Sequence, residues 1–165
     1  MEVSVRSSAS GAPATKRVRR LIGRAAWAMR DSHQEVSVLF CADRRMATLN
    51  GRWRRKKQPT DVLAFPAGER PRVVGHRRDS DARFLGDIVI AIPYASRQAR
   101  RRGEPVAREI DRLLLHGYLH LLGYDHETDH GEMDALEARL RKRFGIAERV
   151  QGPRVKLRGE TRPGR

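Results

Sequence analysis

Residues 116–126 read HGYLHLLGYDH, which places His116, His120 and His126 in the pattern H-x3-H-x2-G-x2-H. Two histidines four residues apart on a helix project from the same face, one turn above the other. Gly123 suits the end of that helix, because glycine readily adopts a left-handed turn. We expect the turn to bring His126 back toward the first two histidines, so that three imidazoles form an open metal site.

The number of these ligands indicates a catalytic metal. Catalytic zinc sites have three protein ligands and a water in the fourth position, whereas structural sites are closed by four protein ligands. Imidazole also suits nickel and copper. The spacing therefore predicts a metal ion and leaves its identity open.

The same spacing occurs in the metzincin peptidases, whose motif H-E-x-x-H-x-x-G-x-x-H has a glutamate after the first histidine. That glutamate is the general base that takes a proton from the metal-bound water. In this chain Gly117 stands in its place. The metal ligands are therefore present without the peptidase base, which argues against a metalloprotease.

The charge of the chain favours an anionic partner. Its 165 residues predict one domain, and 35 Lys and Arg against 20 Asp and Glu give a net charge of +15. Nucleic acid is the first partner to consider and an acidic membrane surface the second, although an arginine-rich genome would produce the same excess. No run of about 18 apolar residues exists, so no membrane span is expected. The single cysteine, Cys41, fits a reducing compartment, and we expect a cytoplasmic protein.

Apolar periodicity predicts the order β-α-β-α-β-β-α-α-α, which indicates a single layered domain of the α/β or α+β class. The strands are expected over 2–6, 35–41 and 84–91, and residues 59–65 are expected to form a turn into a further strand that begins at about Asp61 and that Pro66 stops. The helices are expected over 15–30, 43–52, 94–102, from about 105 through the histidines, and over 129–144. The domain is expected to cover 1–147. The basic segment 148–165 lacks apolar periodicity and is expected to be a flexible tail.

A cationic cluster follows the second predicted helix, and it consists of Arg52, Trp53, Arg54, Arg55, Lys56 and Lys57. Such a cluster binds phosphates, and its aromatic residue can stack on a base. The alternative is a solvated helix end with Trp53 packed on the core. We treat the cluster as a candidate RNA-binding site.

Two acidic residues are candidates for supporting roles, because Asp61 and Asp87 each stand at the beginning of a predicted strand. Either carboxylate could orient a metal ligand or accept a proton. Capping or turn roles are an alternative for both.

Several motifs together resemble the YbeY family of bacterial rRNA maturation factors and single-strand-specific endoribonucleases. Residues 116–126 are similar to the family pattern H-G-x-L-H-L-x-G-Y-D-H, and the supporting matches are LN at 49–50, WR at 53–54, PTDVLAFP at 59–66 and LGDI at 85–88. Met133 and Glu137 also fall where the last helix of the family has Met and Glu. The family often has Tyr where this chain has Trp53, and Ser where it has Ala64. The resemblance covers residues 2 to about 147.

The resemblance implies a small mixed sheet of about four strands packed with helices, with a metal cleft at the helix that carries HxxxH. It implies that His116, His120 and His126 bind one zinc ion and that Arg54 is catalytically important. The implied activity is hydrolysis of single-stranded RNA in 16S rRNA 3′-end maturation and ribosome quality control. The implied partners are the small ribosomal subunit, one of its proteins and an Era-type GTPase, with no membrane and no DNA.

The chemistry of the residues agrees with that activity. Zinc can polarise a phosphoryl oxygen and generate hydroxide near neutral pH, and an arginine fork can hold the other phosphate oxygens. Four proton acceptors stay open: the metal hydroxide, Asp61, Asp87 or the RNA 2′-hydroxyl pathway. The alternative function is a non-catalytic small-subunit assembly factor whose metal is structural.

Overall fold

The computed structural model describes residues 1–31, 34–56, 58–67, 83–125 and 128–146. The elements follow the predicted order, and their ends differ from the predicted ones by at most three residues: β1 (Glu2–Ser7), α1 (Thr15–Ala28), β2 (Gln34–Cys41), α2 (Asp43–Arg54), β3 (Val62–Pro66), β4 (Arg83–Ala91), α3 (Ile92–Arg102), α4 (Val106–Leu121) and α5 (Glu132–Phe144). No helix in these ranges is long and apolar enough to cross a membrane. The predicted tail, 148–165, lies outside the described residues.

The four strands form one mixed sheet in the order β1-β2-β4-β3. Strands β1, β2 and β4 are parallel, and β3 pairs antiparallel with β4 at the edge. The register between β2 and β4 shifts between Glu35 and Val36, which leaves Leu85 as an extra residue in β4. The predicted class, a small mixed sheet packed with helices, is confirmed.

The two faces of the sheet are covered by different helices. Side chains alternate along a strand, so Ile88 and Ile90 join the larger core with α1, α4 and α5, whereas Val89 joins the smaller core with Met46 of α2. Helix α3 lies beside both, since Ala95 belongs to the larger core and Tyr94 packs on the smaller one. Helices α2 and α4 therefore lie on opposite faces of the sheet.

Cys41 lies fully buried in the smaller core. Burial raises the pKa of its thiol to about 11. A thiol that stays protonated at neutral pH is a poor nucleophile, so Cys41 is a core residue.

Candidate metal centre

The two histidines of α4 project from one face of the helix and converge. Their Nε2 atoms are 3.1 Å apart, and their rings meet edge to face with centroids separated by 4.7 Å. Two nitrogens bound to one tetrahedral zinc at roughly 2.0–2.1 Å would be about 3.3–3.4 Å apart. Both His116 and His120 are partly exposed. The donor atoms of the pair therefore fit a shared ion that solvent can reach.

A carboxylate from α5 orients the first histidine. The Nδ1 atom of His116 is 2.9 Å from Oε2 of Glu137, and Oε1 of Glu137 accepts a hydrogen bond of 3.2 Å from Arg141. An ionised carboxylate can only accept, so Nδ1 carries the proton and Nε2 keeps its lone pair. A carboxylate on the far nitrogen is the usual outer partner of a metal-binding histidine.

Glu137 is buried, yet it favours the charged form. Burial alone would raise the pKa of this carboxyl group, but the hydrogen bonds and charges of His116 and Arg141 together lower it. The carboxylate is therefore ionised at neutral pH. In the sequence, Glu137 stands out only as a match to the last helix of the family, because its partner His116 lies 21 positions away in the chain.

Helix α4 ends in a turn at Gly123, as predicted from the sequence. Gly123 has φ of +92°, its N–H donates to the His120 carbonyl (3.0 Å), and the Tyr124 N–H donates to the Leu119 carbonyl (3.1 Å). This is the Schellman motif, in which a glycine turns the chain back at the end of a helix. The chain leaves α4 by the turn that a third ligand requires.

His126, the predicted third ligand, lies outside the described residues. Within the residues that are described, no group of three or more His, Cys, Asp and Glu side chains is arranged to hold a metal ion. The three-histidine site thus stays a prediction, of which the structure describes two ligands and the turn that precedes the third.

Asp61 lies beside the centre. A cavity of about 200 Å³ is lined by Asp61, His116 and Glu137 together with residues of α3 and α4. The carboxylate of Asp61 accepts hydrogen bonds from the Val62 backbone N–H (2.8 Å) and from Gln98 Nε2 (3.0 Å). Asp61 thus lines the same cavity as His116, and its supporting role stays a prediction.

Asp87 does not lie on that side of the sheet. It is opposite Phe65 in the β3–β4 ladder and opposite Ser37 in the β2–β4 ladder. Directly opposed residues share a face, and Phe65 belongs to the smaller core beneath α2. Asp87, only 2% exposed, therefore points away from α4, and a role for it in orienting a metal ligand stays a prediction that this position does not favour.

Arg54 is exposed at the last residue of α2, with Arg52, Arg55 and Lys56 exposed around it. Lys57 lies outside the described residues. The loop that follows is held by Asn50, whose Nδ2 donates to the Gln58 carbonyl (2.7 Å). The exposed cations form a positive surface at one end of α2, on the sheet face opposite α4.

Trp53 packs on the protein. Its ring meets that of Phe65 edge-on, with centroids 6.2 Å apart, at the border of the smaller core. The structure therefore shows Trp53 packed on the core, which is one of the two predicted arrangements, the other being an exposed ring that stacks on a base. Stacking of a base on its partly exposed side stays a prediction.

The cationic end of α2 and the end of α4 lie near the same end of β3. The side chain of Phe65 contacts Trp53 on one face of the sheet. On the other face, a Cβ added at Gly86 would lie 2.3 Å from the Phe65 carbonyl oxygen and 2.7 Å from Leu121 Cδ2. The end of α4 and Trp53, which precedes Arg54, therefore lie on the two sides of the sheet at its edge strand β3.

Gly117 marks the closest approach of α4 to the sheet. A Cβ added there would lie 2.9 Å from Ile88 Cγ2 and 3.4 Å from Val62 Cγ2. A glutamate at this position would be directed into the sheet. The packing therefore accounts for the glycine and supports the conclusion that the chain lacks a metzincin-type base.

Gly117→Ala should lower the free energy of unfolding. Alanine is the better helix former by about 1 kcal/mol, but overpacking a tight contact costs about 1–3 kcal/mol, so we expect a net loss of up to about 2 kcal/mol. Denaturant unfolding measures it. The matched control is Gly23→Ala in α1, where an added Cβ meets nothing within 4 Å, so that stability should rise by about 0.5–1 kcal/mol. Equal gains in both variants would contradict the tight packing of α4.

A mixed four-stranded sheet beneath a helix with two convergent histidines defines this chain as a small α+β protein with a candidate metal centre. The family is identified by comparison with known proteins. The family model of Endoribonuclease YbeY matches residues 6–145. The chain belongs to the YbeY family.

Curated relatives with the name Endoribonuclease YbeY cover most of the chain. The protein of Anaeromyxobacter dehalogenans (strain 2CP-C) is 41% identical over 156 residues, which are 92% of this chain and 77% of that protein. The protein of Anaeromyxobacter sp. (strain Fw109-5) is 40% identical over 167 residues, with coverages of 96% and 83%. The resemblance first drawn from short motifs thus extends over the whole domain.

A solved structure has the same fold. The solution structure of a Thermotoga maritima protein superimposes with a TM-score of 0.59 at 22% identity, and covers 87% of this chain and 89% of that one. At this identity the match supports the fold alone.

Proposed function

We propose that this endoribonuclease of the YbeY family depends on one zinc ion, held by His116, His120 and His126, and that it hydrolyses single-stranded RNA. The observation that carries the proposal is the 3.1 Å approach of the two Nε2 atoms, with Glu137 bound behind His116. A helix that presents two nitrogens in this way has the donor set and the outer carboxylate of a metal site.

The residues of the candidate centre are proposed to have different roles in RNA hydrolysis. Zinc, when bound, supplies a Lewis acid for the phosphoryl oxygen and lowers the pKa of water. His116 is kept in the correct tautomer by Glu137, and His120 supplies the second nitrogen from the next turn. Of the two aspartates predicted for proton handling, Asp61 is the one that lines the cavity beside His116. Asp61 is therefore proposed as one acceptor of the proton, beside the metal hydroxide and the RNA 2′-hydroxyl pathway.

Arg54 is proposed to bind the phosphate. A guanidinium fork can make two parallel hydrogen bonds to non-bridging oxygens, whose charge grows in the transition state. Helices α2 and α4 lie on opposite faces of the sheet. A single RNA molecule that contacts both Arg54 and the histidines must therefore pass around the edge strand β3. The exposed cations Arg52, Arg55 and Lys56, with Lys57, are proposed to contact the neighbouring phosphates.

The proposed cellular role is maturation of the 3′ end of 16S rRNA and quality control of ribosomes in the cytoplasm. It is supported by family membership and by the net charge of +15, which favours a nucleic-acid partner. The proposed partners are the small ribosomal subunit, one of its proteins and an Era-type GTPase. A non-catalytic assembly factor is the lesser alternative, because the curated relatives are named endoribonucleases.

Removal of the metal should abolish cleavage reversibly. Purified protein would be dialysed against a chelator and incubated with a single-stranded RNA, with the same RNA annealed to its complement, and with single-stranded DNA of the same sequence. We expect only the single-stranded RNA to be cut by untreated protein, cutting to stop after chelation, and zinc to restore it. Undiminished cutting by protein shown to be free of metal would refute the proposal.

A further inference from the structure

A second candidate site lies between α1 and α5, and we call it the α1–α5 groove. It has a volume of about 460 Å³ and is lined by Arg19, Arg20, Gly23, Arg24, Trp27, Arg143 and Phe144. Trp27 is 70% exposed, and it is the only large hydrophobic side chain in the described ranges that is exposed. Its ring is thus available to contact a ligand in the groove, with an apolar face and a polar N–H.

The chemistry of the groove fits an anion with flat rings. Of the seven described residues that line it, four are arginines and none is acidic. The guanidinium of Arg143 lies 5.3 Å from the centre of the Trp27 ring, and that of Arg24 lies 4.5 Å from the centre of the Phe144 ring. Interleaved aromatic and cationic groups are the means by which proteins bind single-stranded nucleic acid, with bases on the rings and phosphates on the cations.

One helix, α5, contributes both to the groove and to the contacts of His116. Glu137, which contacts His116, and Phe144, which lines the groove, are both on α5. They are seven residues apart, so they project from the same side of the helix at a spacing of about 10 Å. The groove and the residue that orients His116 therefore border the same helix about two turns apart.

The floor of the groove is open. A Cβ added at Gly23 would meet nothing within 4 Å. A side chain at position 23 can therefore fill the groove without displacing neighbouring residues. Such a substitution blocks the site and preserves the fold.

We propose that the α1–α5 groove is a second binding site for single-stranded RNA, where Trp27 stacks on a base and the surrounding arginines bind its phosphates. The site holds nucleotides that flank the bond to be cut. This inference rests on the proposed function for the position of that bond, but binding in the groove can be measured without cleavage. Charge and aromatic content favour RNA as the occupant over an acidic protein segment.

The first test measures binding alone. An oligouridylate should quench the fluorescence of the wild-type protein, and Trp27→Phe should lose the part of the quenching that comes from the exposed ring in the groove, whereas quenching of Trp53, packed on Phe65, should remain. Trp27→Ala should weaken binding about 10-fold, in keeping with the loss of one base stack. Equal quenching and equal affinity in the wild type and both variants would overturn the proposal.

The second test blocks the groove with matched variants. Gly23→Glu and Gly23→Gln differ by one charge at equal size, and we expect Gly23→Glu to bind the oligouridylate more weakly. Arg20→Ala/Arg24→Ala should lose more affinity than Arg44→Ala/Arg45→Ala, which removes the same two charges from exposed positions on α2. Equal losses in the two double variants would mean that only net charge matters and would overturn the site.

Cleavage separates this inference from the proposed function. With an oligonucleotide too short to reach the groove, Gly23→Glu should cut at the wild-type rate, and with a longer one it should show a raised KM. If no form of the protein cuts RNA but the quenching and the matched-variant results hold, the groove stands and the proposed function fails. If the protein cuts and Gly23→Glu cuts both lengths as the wild type does, the groove is overturned and the proposed function stands.

Discussion

His116→Ala should abolish zinc binding at the centre and RNA cleavage together. The substitution removes one of two nitrogens that lie 3.1 Å apart and also breaks the contact with Glu137. Loss of an outer partner of a metal ligand typically costs about 10- to 100-fold in metal affinity, and loss of the ligand itself should cost more. Competitive zinc titration measures affinity, and cleavage of a single-stranded RNA measures activity.

Two further variants show whether the effect belongs to the metal. Glu137→Gln keeps the size of the side chain and removes its charge, so zinc affinity should fall by about 10- to 100-fold. His130→Ala removes an exposed histidine outside the motif and should change neither zinc affinity nor cleavage. Full zinc affinity in His116→Ala would exclude this histidine as a ligand.

Arg54→Ala should reduce cleavage while zinc binding and stability are retained. Removal of one donor that stabilises a developing oxyanion typically costs about 100- to 1,000-fold in kcat. The side chain is exposed, and among the described residues it has no hydrogen-bond or ion-pair partner, so the fold should tolerate the change. Single-turnover cleavage, zinc titration and a thermal melt of the same preparation measure the three quantities.

The control for Arg54 separates its geometry from its charge. Arg54→Lys keeps the charge and loses the planar fork, so it should recover only part of the rate. Arg52→Ala removes a neighbouring exposed cation and should raise KM with little change in kcat. Retained cutting by Arg54→Ala at the wild-type rate would remove this residue from the mechanism.

The part of the site that depends on local sequence could be predicted. The spacing of His116 and His120 on one helix, and the turn at Gly123, follow from helix geometry and from the freedom of glycine. The order of the elements also follows from local apolar periodicity. The structure confirms that the two histidines share one helix face, that the helix ends in a turn at Gly123, and that the elements follow the predicted order.

What could not be predicted depends on contacts distant in the chain. The face on which Asp87 lies depends on its pairing with β2 and β3 and on which helices cover each side. The role of Glu137 depends on how α5 packs against α4. Gly117 appeared in the sequence only as a missing glutamate, and the structure shows the contact with Ile88 that requires it.

The exposure of the two tryptophans also could not be predicted from the sequence. The cations around Trp53 indicated nucleic-acid binding, yet this ring packs on Phe65. Trp27, in a helix whose apolar residues follow the expected spacing, is 70% exposed. Only the packing of α1 against α5 shows that Trp27 borders a groove.

The most direct test of metal-dependent RNA cleavage is an assay on a 16S rRNA precursor, offered as a fragment and within the small subunit. The wild type, His116→Ala and Arg54→Ala would be prepared identically, with their zinc content measured. Our account predicts that only the wild type cuts at full rate, that His116→Ala lacks zinc and does not cut, and that Arg54→Ala holds zinc and cuts roughly 100- to 1,000-fold more slowly. Equal cutting by all three proteins, or no cutting of either substrate by the zinc-bound wild type, would contradict it.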